Sequence, residues 1–240
     1  MKISLIVPAY NEERRLPGSI ARIAEYVDGR LETWDVVVVD DGSTDATVTA
    51  AQKASRAAGL PLRVISLPAN RGKGAALRAG VLASEGDVVL TSDADLSTPL
   101  SEWKKLEGAG SPIAIGSRGL DESTVKVAQP WYRRTMGKIF NRLVHRATGT
   151  NLRDTQCGFK LFDGAVARRL FAGATIDRFA YDVEILARAE RAGIPVAEVP
   201  VLWFNSPESK VHVVRDSFRM LVDLWRIRRA LRRRPRADRL

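Results

Sequence analysis

One cysteine, Cys157, stands in 240 residues. A lone thiol excludes an internal disulfide and a thiolate metal cluster, and a reducing compartment is its simplest home. Packing as a small apolar side chain accounts for it more simply than reactivity. Histidine is almost as scarce, with only His145 and His212, and both read more simply as surface or packing residues than as catalysts. Long apolar runs are missing as well. The stretch from Met1 to Val7 stops at Pro8 and the polar Asn11-Glu12-Glu13, too short for a signal-peptide core or a membrane span, and no other segment has the length of a span. There is no internal repeat, and no low-complexity segment apart from an arginine-rich end.

What the chain does have is positive charge: a formal +10 and a sequence pI near 10.2. That balance calls for an anionic partner, whether nucleic acid, acidic lipid or a phosphorylated substrate. Much of the excess falls in the tail, at Arg226, Arg228, Arg229, Arg232, Arg233, Arg234 and Arg236, while the first half mixes both signs. No aromatic stacking motif or reader helix accompanies the arginines, so nucleic acid is not the expected partner. With 45% hydrophobic and 28% charged residues, the composition is that of a globular protein able to bury a real core. The expected organisation is one α/β domain over residues 1–210, a basic amphipathic helix over 211–234 and a tail over 235–240.

The runs Ile3-Ser4-Leu5-Ile6-Val7 and Val36-Val37-Val38-Val39 are short, β-branched and nearly continuous, as in parallel strands covered on both faces. Ile20, Ile23, Ala24 and Val27 recur between them at helical spacing, and an alanine-rich helical pattern follows from Thr44 to Ala58. A third strand is expected from Leu62 to Leu67, a helix from Gly74 to Ser84 and a fourth strand from Asp87 to Leu90. Further strands are expected near Pro112 to Gly116 and Pro195 to Val201, and helices over Trp131 to Ala147, Ala165 to Phe171 and Tyr181 to Ala192. Alternation of this kind builds a mostly parallel sheet flanked by helices, with a Rossmann-like first half. In such sheets ligands bind beyond the carboxyl ends of the strands.

Polar clusters sit at three of those ends. Asp93-Ala94-Asp95 follows an apolar strand and precedes a helix start at Leu96-Ser97-Thr98-Pro99. A turn there could aim both carboxylates at a Mg²⁺ or Mn²⁺ ion on a diphosphate, and the same pattern also serves as a helix cap or solvated loop. Asp40-Asp41-Gly42-Ser43-Thr44-Asp45 fits a turn with Ser43 or Thr44 as N-cap, but a second acid directly after four valines could equally accept hydrogen bonds from a base or ribose. Asn70-Arg71-Gly72-Lys73-Gly74 brings small residues, two cations and a helix N-terminus together. It lacks the Walker spacing, and Leu77 replaces the third glycine of a dinucleotide fingerprint, leaving a general anion site or a solvated surface.

Taken together with Pro8-Ala9-Tyr10-Asn11-Glu12-Glu13, Gly116-Ser117-Arg118 and Asp154-Thr155-Gln156-Cys157-Gly158-Phe159-Lys160, these clusters resemble, in order and over most of the chain, glycosyltransferase family 2. Within it they are most similar to the polyprenyl (dolichyl) phosphate sugar synthases. The last cluster, with Ser209-Lys210-Val211, resembles the dolichyl-phosphate β-glucosyltransferase branch more than the mannose branch, which carries glutamine at the position of Ser97. The resemblance implies a GT-A type fold and an inverting, metal-dependent hexosyltransferase that uses a nucleotide-sugar donor and a polyprenyl phosphate acceptor. It implies that Pro8, Tyr10, Glu12 and Asp40 hold the base and ribose, with Arg71 and Lys73 near the nucleotide. Asp93 and Asp95 would handle sugar and metal. Arg118, Arg133 or Arg134, and Lys210 would collar the phosphates, with Gln156 and Lys160 on the acceptor side.

Such chemistry needs no nucleophile from the protein. Positive charge develops on the sugar as the bond to the diphosphate breaks, so a metal and cationic side chains stabilise the leaving group. A polyprenyl phosphate is already an oxyanion and does not require a strong base. Asp154 and Asp182 are candidate carboxylates on the acceptor side, with a turn cap and a helix-start cap as their structural alternatives. Val211, Val214, Phe218, Leu221 and Trp225 form an apolar stripe among Arg215, Arg219, Arg226 and Arg229. This helix either covers the core or lies on an anionic membrane, with the protein peripheral to the cytoplasmic face.

Overall fold

The computed structural model describes residues 1–120, 123–125, 141–204 and 213–233. These form a sheet in the order β3-β2-β1-β4-β7-β5-β8, built from β1 (Lys2–Ala9), β2 (Thr33–Asp40), β3 (Leu62–Ser66), β4 (Val88–Thr91), β5 (Ile113–Ser117), β7 (Lys160–Asp163) and β8 (Val196–Pro200). A two-stranded ribbon joins β6 (Thr124–Val125) to β9 (Leu202–Trp203). The neighbours β3, β2, β1 and β4 are mutually parallel, and so are β5 and β8. Strand β7 runs antiparallel to both β4 and β5, an insertion that the sequence pattern did not anticipate.

The apolar runs of β1 and β2 are continuous because both faces of the sheet are covered. Successive side chains of a strand point to opposite faces. Ile6, Val37 and Val39 accordingly enter one core with α3 (Lys73–Leu82), α6 (Gly164–Ala172) and α7 (Tyr181–Arg191). Leu5, Val7, Val36 and Val38 enter the other, with α1 (Leu16–Val27), α2 (Thr47–Ala57) and α4 (Trp103–Gly108). Proline in the first turn of α1 suits a position whose N–H has no helical acceptor. The helix expected from Trp131 to Ala147 is described over 141–148 (α5), where Val144 is buried in the first core.

Two helix starts differ from expectation. Helix α2 begins at Thr47 rather than Thr44, and Asp45 Oδ1 accepts the Thr47 N–H at 3.0 Å, the capping role expected of Ser43 or Thr44. After Asp95 the chain does not enter a helix at once: Leu96 adopts a left-handed φ of 49°, and a short 3₁₀ turn at Leu100–Glu102 leads into α4.

Helix α8 (Val213–Arg233) carries two apolar stripes, and the inward one is not the one read from the sequence. Leu224 and Ile227, 4% and 2% exposed, enter the first core with Leu231 packed beside them. Each such burial stabilises the docked helix by roughly 1.5–3 kcal/mol. Leu221 and Trp225, expected on a single buried or membrane-bound stripe, are exposed together with Val222. Val211 and the side chains of Val214, Arg215 and Phe218 lie outside the described residues. The helix assigned to 211–234 thus packs on the α/β body with one face and leaves an apolar face outside.

Candidate active site

The carboxyl ends of β1, β2, β4 and β5 lie at one edge of the sheet. Register fixes what meets there: Ala9 pairs with Asp40, and Thr91 and Ile115 both flank Lys160. Because β7 is reversed, its first residue arrives where its neighbours end. The clusters at 8–13, 40–45, 70–74, 93–95, 116–118 and 154–160 therefore converge on this edge. Arg133, Arg134 and Lys210 lie outside the described residues.

On the side of β1 and β2, two turns are tied to each other. Pro8 is the penultimate residue of β1, and Tyr10 stands exposed just beyond the end of the strand. Asn11, at a left-handed φ of 55°, donates its N–H to Ser43 Oγ (2.9 Å) and accepts the Thr44 N–H on Oδ1 (2.8 Å). Glu12 is buried and its carboxylate grips Arg15 at 2.6 and 2.7 Å, an intramolecular pairing not foreseen for a residue expected on ribose. Asp40 is buried and accepts the Ser43 N–H at 3.1 Å.

Asp41, the second acid that the sequence reading offered to a base or ribose, holds the third loop. Its oxygens accept the N–H groups of Arg71 (2.9 Å) and Gly72 (2.8 Å) and the Asn70 amide (3.0 Å). Burial raises its carboxyl above the ordinary range despite these donors. The same loop is clasped from the other side by Asp177, which takes Arg71 at 2.8 Å and Arg78 at 2.6 Å. Gly72 has a φ of 119°, and a β-carbon there would come within 2.5 Å of the Asp177 carbonyl oxygen. Glycine is what permits both the conformation and the close approach. The sequence signal for Asp41 was its place as the second acid after four valines, which marks an acceptor but not the loop it would hold.

The 93–95 turn is locked through its backbone. Ser92 N–H bonds to the Ile6 carbonyl (3.1 Å), Ser19 Oγ donates to the Ala94 carbonyl (2.6 Å), and Arg22 donates to the Asp95 carbonyl (2.9 Å). Asp95 Oδ1 accepts the Ser97 N–H at 2.9 Å, which closes the turn but caps no helix, since the next helical turn begins at Leu100. Asp93 forms an ion pair with Lys73 across the crevice. Burial works against its charge, but Lys73, Lys160 and Arg118 outweigh it and hold the carboxyl below its usual range. Gly158 backs onto this carboxylate closely enough that a β-carbon would lie 2.5–2.7 Å from the carboxyl atoms.

Arg118 and Asp154, expected as a phosphate collar and an acceptor-side carboxylate, are partners of each other. The Arg118 backbone N–H (3.0 Å), Nε (2.7 Å) and Nη2 (2.9 Å) all donate to the Asp154 carboxylate. Against the cost of burial, Arg118 holds the Asp154 carboxyl below its ordinary range. With both oxygens engaged, Asp154 is suited to orienting Arg118 rather than to taking a proton. Its turn-cap role is a minor one, a 3.3 Å bond from the Gln156 N–H, and the backbone of Gln156 is thereby anchored beside the pair.

Lys160 is the largest departure. Expected on the acceptor phosphate, it is 2% exposed, and its ammonium is held by Asp182 and the Cys157 carbonyl. Asp182 is accordingly no helix-start cap: α7 opens at Ala180 without a side-chain cap, and Asp182 is the buried counter-charge of Lys160. Burial raises its carboxyl even so. Tyr181 beside it is buried, its ring 6.0 Å from the Lys73 ammonium. Burial also pushes the Cys157 thiol up, in keeping with a packing role.

Among the described residues no group of three or more His, Cys, Asp or Glu could hold a metal ion. What the edge offers a divalent cation is Asp93 and Asp95, two carboxylates on one turn. That donor set fits a hard ion that completes its shell with phosphate oxygens and water, as Mg²⁺ commonly does.

Comparison with known proteins agrees with this architecture. The sequence model described as Glycosyl transferase family 2 matches residues 4–171. A dolichyl-phosphate beta-glucosyltransferase of Drosophila melanogaster is 38% identical, over 95% of this chain and 78% of its own. Those of Homo sapiens and Saccharomyces cerevisiae are 37% and 34% identical, over 95% of this chain and 75% and 74% of theirs. Among solved structures, glucosyl-3-phosphoglycerate synthase from Mycobacterium tuberculosis in complex with UDP superposes with a TM-score of 0.67. It is 22% identical and is covered over 98% of this chain and 81% of its own. The same enzyme in complex with Mn²⁺, UDP and glucosyl-3-phosphoglycerate gives 0.66 at 22% identity, over 95% and 79%. These likenesses confirm the GT-A type fold. With the family model spanning most of its length, and relatives matched along nearly all of it, the chain belongs to glycosyltransferase family 2 and is a hexosyltransferase.

Proposed function

We propose that this enzyme transfers glucose, with inversion, from a nucleotide diphosphate sugar to a dolichyl or other polyprenyl phosphate. The observation that carries the reading is the setting of Asp93, paired with Lys73 across the crevice and backed by Gly158, at the sheet edge where β5 also delivers Arg118. Such an edge suits a reaction that brings a diphosphate and a second phosphate together and releases negative charge on the leaving group. Asp41 and Asp177 would fix the loop that presents Lys73, at the N-terminus of α3, to the donor phosphates. Asp40 and Tyr10 would hold the nucleoside, and Arg118, set by Asp154, would face phosphate oxygens. A divalent ion on Asp93 and Asp95, Mg²⁺ or Mn²⁺, would supply Lewis-acid stabilisation of the departing diphosphate. A phosphate acceptor is favoured over a glycan hydroxyl because both carboxylates considered on the acceptor side are engaged, Asp154 with both oxygens on Arg118 and Asp182 as the buried partner of Lys160. The names of the relatives support glucose and dolichyl phosphate, and the bound groups of the structural neighbour support UDP and Mn²⁺.

The test is transfer of labelled sugar from UDP-glucose and from GDP-mannose, in parallel, to polyprenyl phosphate with Mn²⁺ or Mg²⁺. Lipid-extractable product from UDP-glucose, lost on chelation, is the expected result. Product from GDP-mannose alone would reassign the donor, and transfer to water-soluble acceptors without lipid phosphate would overturn the acceptor.

The acceptor is lipid-linked in this reading, and the outer face of α8 supports a peripheral position at the cytoplasmic face of an anionic membrane. Trp225, 59% exposed, stands with Leu221 and Val222, flanked by exposed Arg226, Arg228 and Arg229. Among the described residues no helix is long and apolar enough to cross a membrane. With each arginine near an anionic surface contributing about 1 kcal/mol, Arg226→Gln/Arg229→Gln should weaken binding to phosphatidylserine-containing vesicles by about tenfold or more. Unchanged co-sedimentation would remove α8 from the membrane contact.

A further inference from the structure

The grip of Asp154 on Arg118 raises the question of what sets Asp154, which sits in a connecting loop between α5 and β7. The loop is pinned from the sheet. Glu198, on β8, accepts the backbone N–H of Arg153 on Oε2 at 2.7 Å and that of Asp154 on Oε1 at 2.9 Å. A carboxylate receiving two successive N–H groups makes charge-assisted bonds that are stronger than neutral ones. They fix the peptide planes on either side of Arg153, and hence the direction in which the Asp154 side chain leaves the backbone. Glu198 is itself set by the pairing of β8 with β5, where it lies opposite Ile115, three residues before Arg118. The same run of chain continues to Trp203 on β9, whose ring centroid lies 5.4 Å from the Arg118 guanidinium carbon. One segment thus touches the Arg118–Asp154 pair at two points.

We propose that Glu198 is a positioning residue for Arg118, acting through the backbone of residues 153–154 and the carboxylate of Asp154. It need not meet either substrate. Its part is to hold the guanidinium in the orientation that phosphate oxygens require, and a displacement of about 1 Å at such a group costs on the order of a hundredfold in rate. This inference rests on the reading of Arg118 as a phosphate-contacting residue.

The experiment is a double-mutant cycle in kcat/KM for transfer to polyprenyl phosphate, with Glu198→Ala, Asp154→Ala and the pair, beside Arg118→Ala and Glu198→Gln. Glu198→Ala should lower kcat/KM by about tenfold to a hundredfold. In the Asp154→Ala background the same change should add less than twofold, because the relay is already cut. Glu198→Gln retains one side-chain acceptor oxygen and should recover part of the loss; if the alanine variant does not fold, the glutamine variant carries the cycle. Fully additive losses that track falling Tm would make Glu198 a structural residue and overturn the proposal, as would Glu198→Ala at wild-type rate while Arg118→Ala is crippled. Arg118→Ala at wild-type rate would overturn the reading of Arg118 itself.

Discussion

Gly158→Ala should lower the rate of sugar transfer by about a hundredfold, the cost expected when a reacting group is displaced by about 1 Å. The protein should melt within a few degrees of the wild type. Both halves follow from what a β-carbon would meet. At 2.5–2.7 Å from the Asp93 carboxyl atoms it cannot be accommodated unless that side chain moves. The atoms in the way are the tip of one side chain rather than backbone, so the fold yields cheaply. Asp93 does not. Pushed off its position, it loses its alignment with Lys73 and with Asp95 on the same turn, and any cation held there loses a ligand. Gly158 has no left-handed φ, so backbone strain makes no contribution. Initial rates beside a thermal melt decide the matter: near-wild-type turnover would mean that the position of Asp93 is not critical, and a collapse in Tm would mean that Gly158 serves the fold.

Lys160→Met should be the most destabilising of the single changes considered. It leaves Asp182, 4% exposed, without its ammonium partner. Breaking a buried pair costs about 3–5 kcal/mol, which for a chain of this size is a fall in Tm on the order of 10 °C. Adding Asp182→Leu should restore most of the loss, because an apolar pair of similar volume avoids the desolvation of both charges. The pH dependence has a definite sign. Burial already holds the Asp182 carboxyl above its ordinary range, and losing the ammonium raises it further. The folded state then binds a proton more tightly than the unfolded state, so the deficit of Lys160→Met should shrink as pH falls below neutrality. Denaturant unfolding at several pH values reads this directly. A single variant as stable as the wild type would show that the pair contributes nothing to folding.

The parts of this molecule legible in its sequence are those with a local signature. Continuous β-branched runs marked β1 and β2 because strands covered on both faces need no polar alternation, and every motif but the one at 154–160 lay where a strand ended. The parts that were not legible depend on partners distant in sequence. Lys160 reads as an acceptor-side cation until Asp182, 22 positions later, is seen beside it. Glu198 carries no motif at all, and its role appears only when the 153–154 loop folds over β8. In α8 the residues 221 and 225 and the residues 224 and 227 make two stripes of similar hydropathy, and only the shape of the core selects the second. Four residues from Lys160 to Asp163 cannot announce that their strand will run backwards.

That reversed strand also sets the order in which the sheet can be assembled. Strands β1 to β4 pair with one another and are complete once the chain has reached Thr91. Among the described residues β5 pairs with β7 and β8 alone, which lie at least 43 residues further on. During synthesis, an early module carrying the donor-side turns can therefore form while Ile113–Ser117 waits for its neighbours. When β7 inserts, it joins the two halves and in the same step brings Gly158 behind Asp93. The reacting edge thus stays incomplete until the chain has passed Asp163, and catalytic competence waits on the strand that joins the two halves.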